Sequence, residues 1–198
     1  MTEPALLVHA CCGICLAAIL DPLRRLGRFT LHFHNPNIMP LLEFRRRATA
    51  IQVLADREHL DLLMDDRYDP RGFLRTVPWE RPERCLACYR LRLKETARVA
   101  AEKGFTHIST TLLASTHQDH EAIRCIGEGE AAARGLAFHY EDWRPLATHG
   151  QDEAKRRSLY RQQYCGCLFS EQERFAPTRL HLYRGGTDSP PEEVGGGG

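Results

Sequence analysis

The sequence predicts an α/β fold in which helices cover both faces of a parallel β-sheet. Short apolar runs alternate along the chain with longer segments of helical spacing, and this alternation is typical of parallel sheets. Gly27, Gly104 and Gly135 each follow one of the helical segments, where glycine commonly ends a helix. Ligands in such folds bind beyond the carboxyl ends of the strands, so residues that directly follow predicted strands are the first candidates for a site.

The first half of the chain predicts three strands and two long helices. Apolar runs predict strands at residues 5–10, 30–34 and 60–64. Apolar residues three and four positions apart predict helices at residues 14–26 and 41–59. The second strand runs into Asn35-Pro36-Asn37, a turn-forming sequence, before the second helix begins.

The second half continues this alternation. Residues 68–77 predict a loop with a short helix. Helical spacing predicts helices at residues 86–102, 119–134 and 152–163. Strands are predicted at residues 107–111 and 137–140. Residues 1–176 therefore form one predicted metal-binding catalytic domain. From residue 177 glycine, proline and acidic residues dominate, which predicts a disordered or artificially added tail over residues 177–198.

Composition narrows the class of protein. The 198 residues fit one domain, and the net charge of +1 excludes neither nucleic acids nor proteins as partners. The N-terminus lacks the basic residues of a signal peptide, and no apolar run approaches the ~20 residues of a membrane span. The sequence therefore predicts a cytoplasmic protein with no membrane partner, whose eight cysteines are more typical of metal ligands than of disulfides.

Seven of the eight cysteines lie in three clusters, Cys11-Cys12-x-x-Cys15, Cys85-x-x-Cys88 and Cys165-x-Cys167. Because the first cluster directly follows a predicted strand, Cys11, Cys12 and Cys15 are the predicted catalytic residues. Both Cys-x-x-Cys spacings fall at helix starts, where backbone N–H groups favour thiolate. Cys125 stands alone in a helical segment and is predicted to be a small core residue.

Three kinds of site compete for the clustered cysteines. A structural zinc site needs four ligands and would leave three of the seven unused. A redox dithiol of the thioredoxin kind needs only one Cys-x-x-Cys pair. An iron–sulfur cluster takes about four thiolates and leaves about three for a second metal or for open catalytic chemistry. The number of soft ligands favours the iron–sulfur site, with zinc and the dithiol as alternatives.

No phosphate-binding loop follows the first predicted strand. Residues 11–15 contain one glycine and match neither the P-loop nor the dinucleotide fingerprint, so ATP and nicotinamide dependence are not expected. Two basic clusters, Arg45-Arg46-Arg47 and Lys155-Arg156-Arg157 with Arg161, are candidates for phosphate contacts to a nucleic acid. Solvated helix faces are the alternative interpretation of both clusters.

Several stretches between Leu6 and about Phe175 carry a family resemblance. They are VHACCGIC at 8–15, NPNIMP at 35–40, EFRRR at 43–47, CLACYRLRLKETARVAAEKGF at 85–105, STTLLAS at 109–115, QDHEAI at 118–123 and YRQQYCGCLFS at 160–170. Together they resemble the QueH-type epoxyqueuosine reductases, the cobalamin-independent enzymes of tRNA queuosine synthesis. The Cys-x-x-Cys-Tyr block combined with the last stretch is specific to that family.

The resemblance implies a Rossmann-like fold related to PP-loop, HUP-type domains, with cysteine in place of the nucleotide loop. It implies a 4Fe–4S cluster beside a second metal ion, iron or zinc. The implied ligands of one or the other are Cys11, Cys12, Cys15, Cys85, Cys88, Cys165 and Cys167. Family members vary between Cys and Asp at the position of Cys15, which makes Cys15 the candidate ligand of the second metal.

The implied reaction is the two-electron reduction of epoxyqueuosine to queuosine at the wobble position of tRNA, with release of water. The implied partners are tRNA that carries epoxyqueuosine and an electron donor protein of the ferredoxin or flavodoxin type. The two basic clusters supply the candidates for contact with the phosphates of such a tRNA, which are Arg45, Arg46, Arg47, Arg156, Arg157 and Arg161. The alternatives are a PP-loop-like tRNA sulfur transferase that uses a cluster, and a zinc-stapled RNA-binding module.

Overall fold

In a computed structural model, which describes residues 5–176, the chain forms a five-stranded sheet. The strands are β1 (Leu6–His9), β2 (Phe29–Phe33), β3 (Leu62–Met64), β4 (His107–Thr110) and β5 (Ala137–Phe138), in the order β3-β2-β1-β4-β5. All neighbouring strands are parallel. This is the order of Rossmann-like folds, and the predicted α/β class is confirmed. The relation to PP-loop domains stays a prediction.

Helices cover both faces of this sheet. They are α1 (Gly13–Arg25), α2 (Leu41–Arg57), α3 (Pro70–Thr76), α4 (Glu83–Glu102), α5 (His120–Ala132), α6 (Ala147–Arg156) and α7 (Leu168–Phe175). Successive side chains of a strand point to opposite faces. Val8 accordingly packs in one apolar cluster with Leu16 of α1, whereas Leu7 packs in another with Ala97 of α4 and Ala131 of α5. The core therefore lies in two layers, one on each side of the sheet.

The strand order reverses between β1 and β4, and such a reversal opens a crevice at the carboxyl ends of the two strands. Cys11 follows β1 and Thr111 follows β4. The Cys11 backbone N–H donates to the Thr111 hydroxyl oxygen at 3.0 Å, which joins the two strand ends. The fold thus places the first cysteine cluster where an α/β protein binds its ligand.

The helix predicted at residues 152–163 is wrong at both ends, since α6 spans Ala147–Arg156. It ends because Ser158 adopts a positive φ of 53°, outside the helical region, and the chain then turns so that Leu159 is buried. It begins earlier because Gly150 lies against α1. A Cβ at Gly150 would come within 2.7 Å of the Ala18 Cβ, so glycine allows close helix packing here instead of breaking the helix.

The predicted tail, residues 177–198, lies outside the described residues 5–176. The division of the chain at residue 176 therefore stays a prediction. Among the helices of the described part of the chain, none is both long enough and apolar enough to cross a membrane.

Candidate metal centre

All seven clustered cysteines lie near the N-terminal ends of three helices. Cys12 caps α1, Cys15 lies in its first turn, Cys85 and Cys88 lie in the first turns of α4, and Cys165 precedes Cys167, which caps α7. Cys11, Cys12, Cys88 and Cys167 are buried, and the other three are half-buried. The positive ends of helices favour thiolates, so each cluster occupies a position that suits a metal ligand.

Three sulfurs converge in the pocket that follows β1. The Sγ atoms of Cys11, Cys12 and Cys15 all lie within 4.8 Å of one another, and those of Cys11 and Cys12 are 3.7 Å apart. Ligand sulfurs about 2.3 Å from a tetrahedral zinc-sized ion lie roughly 3.8 Å from each other. The spacing therefore fits three ligands of one metal ion, with a fourth coordination position free for another ligand.

Hydrogen-bond donors hold these sulfurs in place. The Gln162 side-chain amide donates to the Cys12 sulfur at 2.7 Å, and the Cys15 backbone N–H donates to the same sulfur at 3.4 Å. The Thr111 hydroxyl donates to the Cys11 sulfur at 3.2 Å. Donors of this kind orient metal ligands and stabilise their negative charge. Neither Thr111 nor Gln162 was predicted as a site residue, although both lie in stretches that carry the family resemblance.

A buried polar network fixes the backbone beneath the pocket. The Asn35 side-chain amide donates to the Ala10 carbonyl at 2.9 Å, and His9 Nδ1 lies 2.9 Å from the Thr110 hydroxyl oxygen. Burial lowers the pKa of His9 to about 3, so its ring is neutral at physiological pH. The network therefore positions the first cysteine cluster without adding a charge to it.

The three sulfurs of the pocket do not ionise alike. Hydrogen bonds from the Cys12 and Cys15 thiols hold the pKa of Cys11 well below its usual value. The hydrogen bond that Cys12 donates to Cys11 raises the pKa of Cys12 to about 12, and the one from Cys15 raises the pKa of Cys15. Cys11 is therefore the sulfur of the three that loses its proton most readily, and a metal that binds all three sulfurs must displace the protons of Cys12 and Cys15.

Zinc binding to the metal-free protein is expected to strengthen steeply with pH. The raised pKa values of Cys12 and Cys15 keep both protons bound near neutral pH, so binding releases two protons and affinity should rise roughly 100-fold per pH unit. Competition with a chelating indicator between about pH 6 and 8 measures this slope. Cys15→Ser is the matched control. Zinc binding to this variant should release about one proton fewer, so its affinity should rise less steeply with pH. A slope of zero in the unmodified protein would contradict the pairing of these sulfurs.

The other four clustered cysteines form a second group. Burial raises the pKa of Cys88 to about 12, and Cys165, Cys167 and Cys85 lie close enough to add to that rise. Cys88 and Cys167 also belong to one apolar cluster, together with Met39 and Phe73. The ends of α4 and α7 therefore meet, and cysteines that are 77 or more residues apart along the chain become electrostatic neighbours.

Arg47 anchors the loop that carries Cys165. Its guanidinium donates to the Cys165 and Tyr164 carbonyl oxygens, each at 2.8 Å, and to the Glu43 carboxylate at 2.7 Å. Both side chains of this ion pair are buried. Gly166 follows with a φ of 128°, and a Cβ there would lie 3.1 Å from the Arg47 guanidinium. The glycine therefore permits both the left-handed turn and the approach of Arg47.

The arginines predicted to bind tRNA have different environments. Arg45, Arg46 and Arg161 are exposed. Arg47 is 2% exposed and supports the cysteine loop from inside, so its guanidinium does not face solvent. Arg156 pairs with Glu153 at 2.6 Å, and Arg157 pairs with both Glu153 and Glu58. A run of basic letters in a sequence does not distinguish these three situations.

Cys125 is exposed on α5, and the prediction that it is a core residue is wrong. The buried face of α5 is formed by Ile123, Ile126 and Gly127. Cys125 falls outside this face because residues two positions apart point to different sides of a helix. It also lies outside the group of sulfurs that converge after β1.

The profile of the family described as "Epoxyqueuosine reductase QueH" matches residues 6–173, which include all seven clustered cysteines. The chain belongs to the QueH family. Three relatives share the name epoxyqueuosine reductase QueH. The protein of Dehalococcoides mccartyi is 35% identical over 87% of this chain and 95% of its own length. The Thermotoga maritima protein is 32% identical over 85% of this chain and 91% of its own length. The Acinetobacter baylyi protein is 32% identical over 83% of this chain and 79% of its own length.

Membership of the QueH family confirms the resemblance found in the sequence, and it makes the chain an oxidoreductase. The converging sulfurs of the first cluster are a possible metal site in it.

Proposed function

We propose that this QueH family member reduces the epoxide of epoxyqueuosine, at the wobble position of tRNA, to the alkene of queuosine. Two electrons and two protons are consumed, both epoxide C–O bonds break, the oxygen leaves as water, and a C=C bond forms. The proposal is carried by the pocket of Cys11, Cys12 and Cys15, whose sulfur spacing fits one metal ion beside four further cysteines. The names of the relatives supply the substrate class.

Two metal sites account for the seven cysteines. Cys11, Cys12 and Cys15 are proposed to hold the second metal, iron or zinc, because their sulfurs lie as close together as ligands of a single ion. Cys85, Cys88, Cys165 and Cys167 are proposed to hold the 4Fe–4S cluster, since four thiolates are what such a cluster takes. When bound, these groups would supply single electrons and a Lewis acid for the epoxide oxygen.

The protein's own residues prepare the pocket for this chemistry. Thr111 and Gln162 donate to the sulfurs of Cys11 and Cys12, which keeps these two ligands oriented as they lose their protons. Cys15 and Cys165 are half-buried, whereas Cys11 and Cys12 are buried, so the proposed approach of the substrate is from the side of Cys15 and Cys165. Cys11, Cys12 and Cys15 would hold the second metal with three ligands, which would leave the open position that a catalytic site needs.

A groove of about 340 Å³ beside α2 is the proposed contact for tRNA phosphates. Arg45, Arg46 and Tyr160 line it, and the Arg46 guanidinium lies 5.6 Å from the centre of the Tyr160 ring. Arg45 and Arg46 form no ion pair with any carboxylate of the described residues, so their charge is available to phosphate. The exposed Arg161 adds to them, whereas Arg156 and Arg157 are already paired with glutamates.

The two electrons are proposed to arrive one at a time from a ferredoxin- or flavodoxin-type protein, because an iron–sulfur cluster passes single electrons. A tRNA substrate implies a cytoplasmic enzyme. The alternatives, a sulfur transferase and a zinc-stapled RNA-binding module, predict other products and other metal contents.

Protein purified without oxygen is expected to convert epoxyqueuosine in tRNA to queuosine when dithionite supplies the electrons. Nuclease digestion and mass spectrometry should then find a nucleoside that has lost one oxygen atom. Cys125→Ala, which changes an exposed cysteine, should convert tRNA as the unmodified protein does. A nucleoside that gains sulfur would favour the transferase. Colourless protein that contains only zinc and leaves the epoxide intact would favour the binding module.

A further inference from the structure

Arg92 is a buried cation in the middle of the cysteine-rich end of the fold. It lies on α4, one helical turn after Cys88, and is 1% exposed. Its Nε donates to the Cys88 carbonyl oxygen at 3.2 Å, and its guanidinium lies 5.7 Å from the centre of the Tyr89 ring. Its Nη2 is buried and has no hydrogen-bond partner among the described residues.

This environment differs from that of the other buried arginines of the site. Arg47 pairs with the Glu43 carboxylate, and Arg84 pairs with that of Glu173. No carboxylate of residues 5–176 forms an ion pair with Arg92. A buried charge is normally paired, because removal of an unpaired charge from water is costly. The structure therefore lacks a carboxylate counter-charge where one is expected.

The groups that face Arg92 are sulfurs and a neutral ring. Its charge acts on Cys88, Cys165 and Cys11, which come one from each of the three cysteine clusters. His9 also lies within the reach of its charge but is kept neutral by burial, so it offers no negative charge. Tyr89 and the cysteines are the ionisable neighbours of Arg92 in the described chain that can become anionic, and the cysteines do so when they bind a metal.

We propose that Arg92 is the built-in counter-charge of the metal centre, a positioning residue that stabilises the ligand thiolates and the electron added to the cluster. The inference rests on the proposed function in so far as it assumes metals bound by these cysteines. Metal–thiolate groups carry net negative charge, and a reduced cluster carries one charge more. A fixed cation in a site shielded from water favours both, because the interaction is screened little there.

Arg92→Gln removes the charge, whereas Arg92→Lys retains it. Arg90→Gln is the matched control, since Arg90 is exposed on the same helix. The midpoint potential of the cluster is measured by a redox titration that is followed by electron paramagnetic resonance. In Arg92→Gln the potential should fall, with roughly a tenfold smaller equilibrium constant for reduction, as expected for one charge lost at close range. The midpoint potentials of Arg92→Lys and Arg90→Gln should stay near that of the unmodified protein.

A second measurement uses zinc alone and needs neither a cluster nor turnover. Zinc should raise the melting temperature of the unmodified protein more than that of Arg92→Gln, since only the former gains a partner for its buried charge. Equal potentials and equal zinc-induced shifts in both proteins would overturn the proposal and leave Arg92 a packing residue. If Arg92→Gln does not fold, Arg92→Lys alone tests the proposal. A tenfold smaller equilibrium constant for cluster reduction in Arg92→Lys, which keeps the charge, would overturn it. If the unmodified protein does not reduce the epoxide, but Arg92→Gln shows the expected changes in potential and in zinc-induced stabilisation, the proposed function is refuted and the counter-charge role of Arg92 is not.

Discussion

Cys88→Ser is expected to lose the iron–sulfur cluster completely, whereas Cys15→Ser should keep it and lose only the second metal. The reason is the division of the sulfurs: Cys15 lies within 4.8 Å of Cys11 and Cys12, while Cys88 lies with the cysteines that precede and cap α7. Iron, sulfide and zinc analysis of protein prepared without oxygen measures both sites. The unmodified protein should hold about four irons with matching sulfide and one further metal.

Both variants should be inactive towards epoxyqueuosine in tRNA, which makes metal content the measurement that separates them. Cys125→Ala is the matched control because it removes an exposed thiol and no ligand. A Cys15→Ser protein without iron and sulfide would contradict the division and assign Cys15 to the cluster. Loss of metal from Cys125→Ala would show that the ligand set itself is wrong.

Arg47→Met is expected to destabilise the fold by about 3–5 kcal/mol, the range for removing one partner of a buried ion pair. The change leaves the buried Glu43 carboxylate without its cation and frees the carbonyl oxygens of Tyr164 and Cys165. Urea denaturation of the reduced, metal-free protein measures the free energy of unfolding. Arg46→Met is the control, because the neighbouring side chain is exposed and should change stability by far less.

The Arg47 variant should also bind the cluster poorly, since Arg47 holds the backbone that carries Cys165. Equal unfolding free energies for the two methionine variants would show that the buried pair contributes little. A destabilised variant with normal cluster content would show instead that the cysteine loop is held in place by the metal and not by Arg47.

The sheet was predictable because its strands are short apolar runs separated by helical segments, three of which are followed by glycine. The limits of α6 were not, since they depend on tertiary contacts. Gly150 remains helical because it meets Ala18 on α1, and Ser158 ends the helix in a conformation that its residue type does not suggest. Residue spacing carries information about local periodicity, but not about how closely two helices approach.

The cysteines of the site were predictable from their spacing, and the polar residues that support them were not. Arg47 stands in a run of three arginines, yet it points inwards while its two neighbours face solvent. Arg92 lies four positions after Cys88 on a helix, which places both on one side of it, and this spacing was the available signal. Gln162 and Thr111 meet the first cluster only through the tertiary fold.

The distribution of the cysteines along the chain sets the order in which the centre can be assembled. A ribosome releases the N-terminal part of a chain first, so the segment with Cys11, Cys12 and Cys15 is free to fold long before the segment with Cys165 and Cys167. The second group of sulfurs joins cysteines of α4 to cysteines at the start of α7. The proposed cluster site can therefore form only after the chain has been synthesised as far as Cys167.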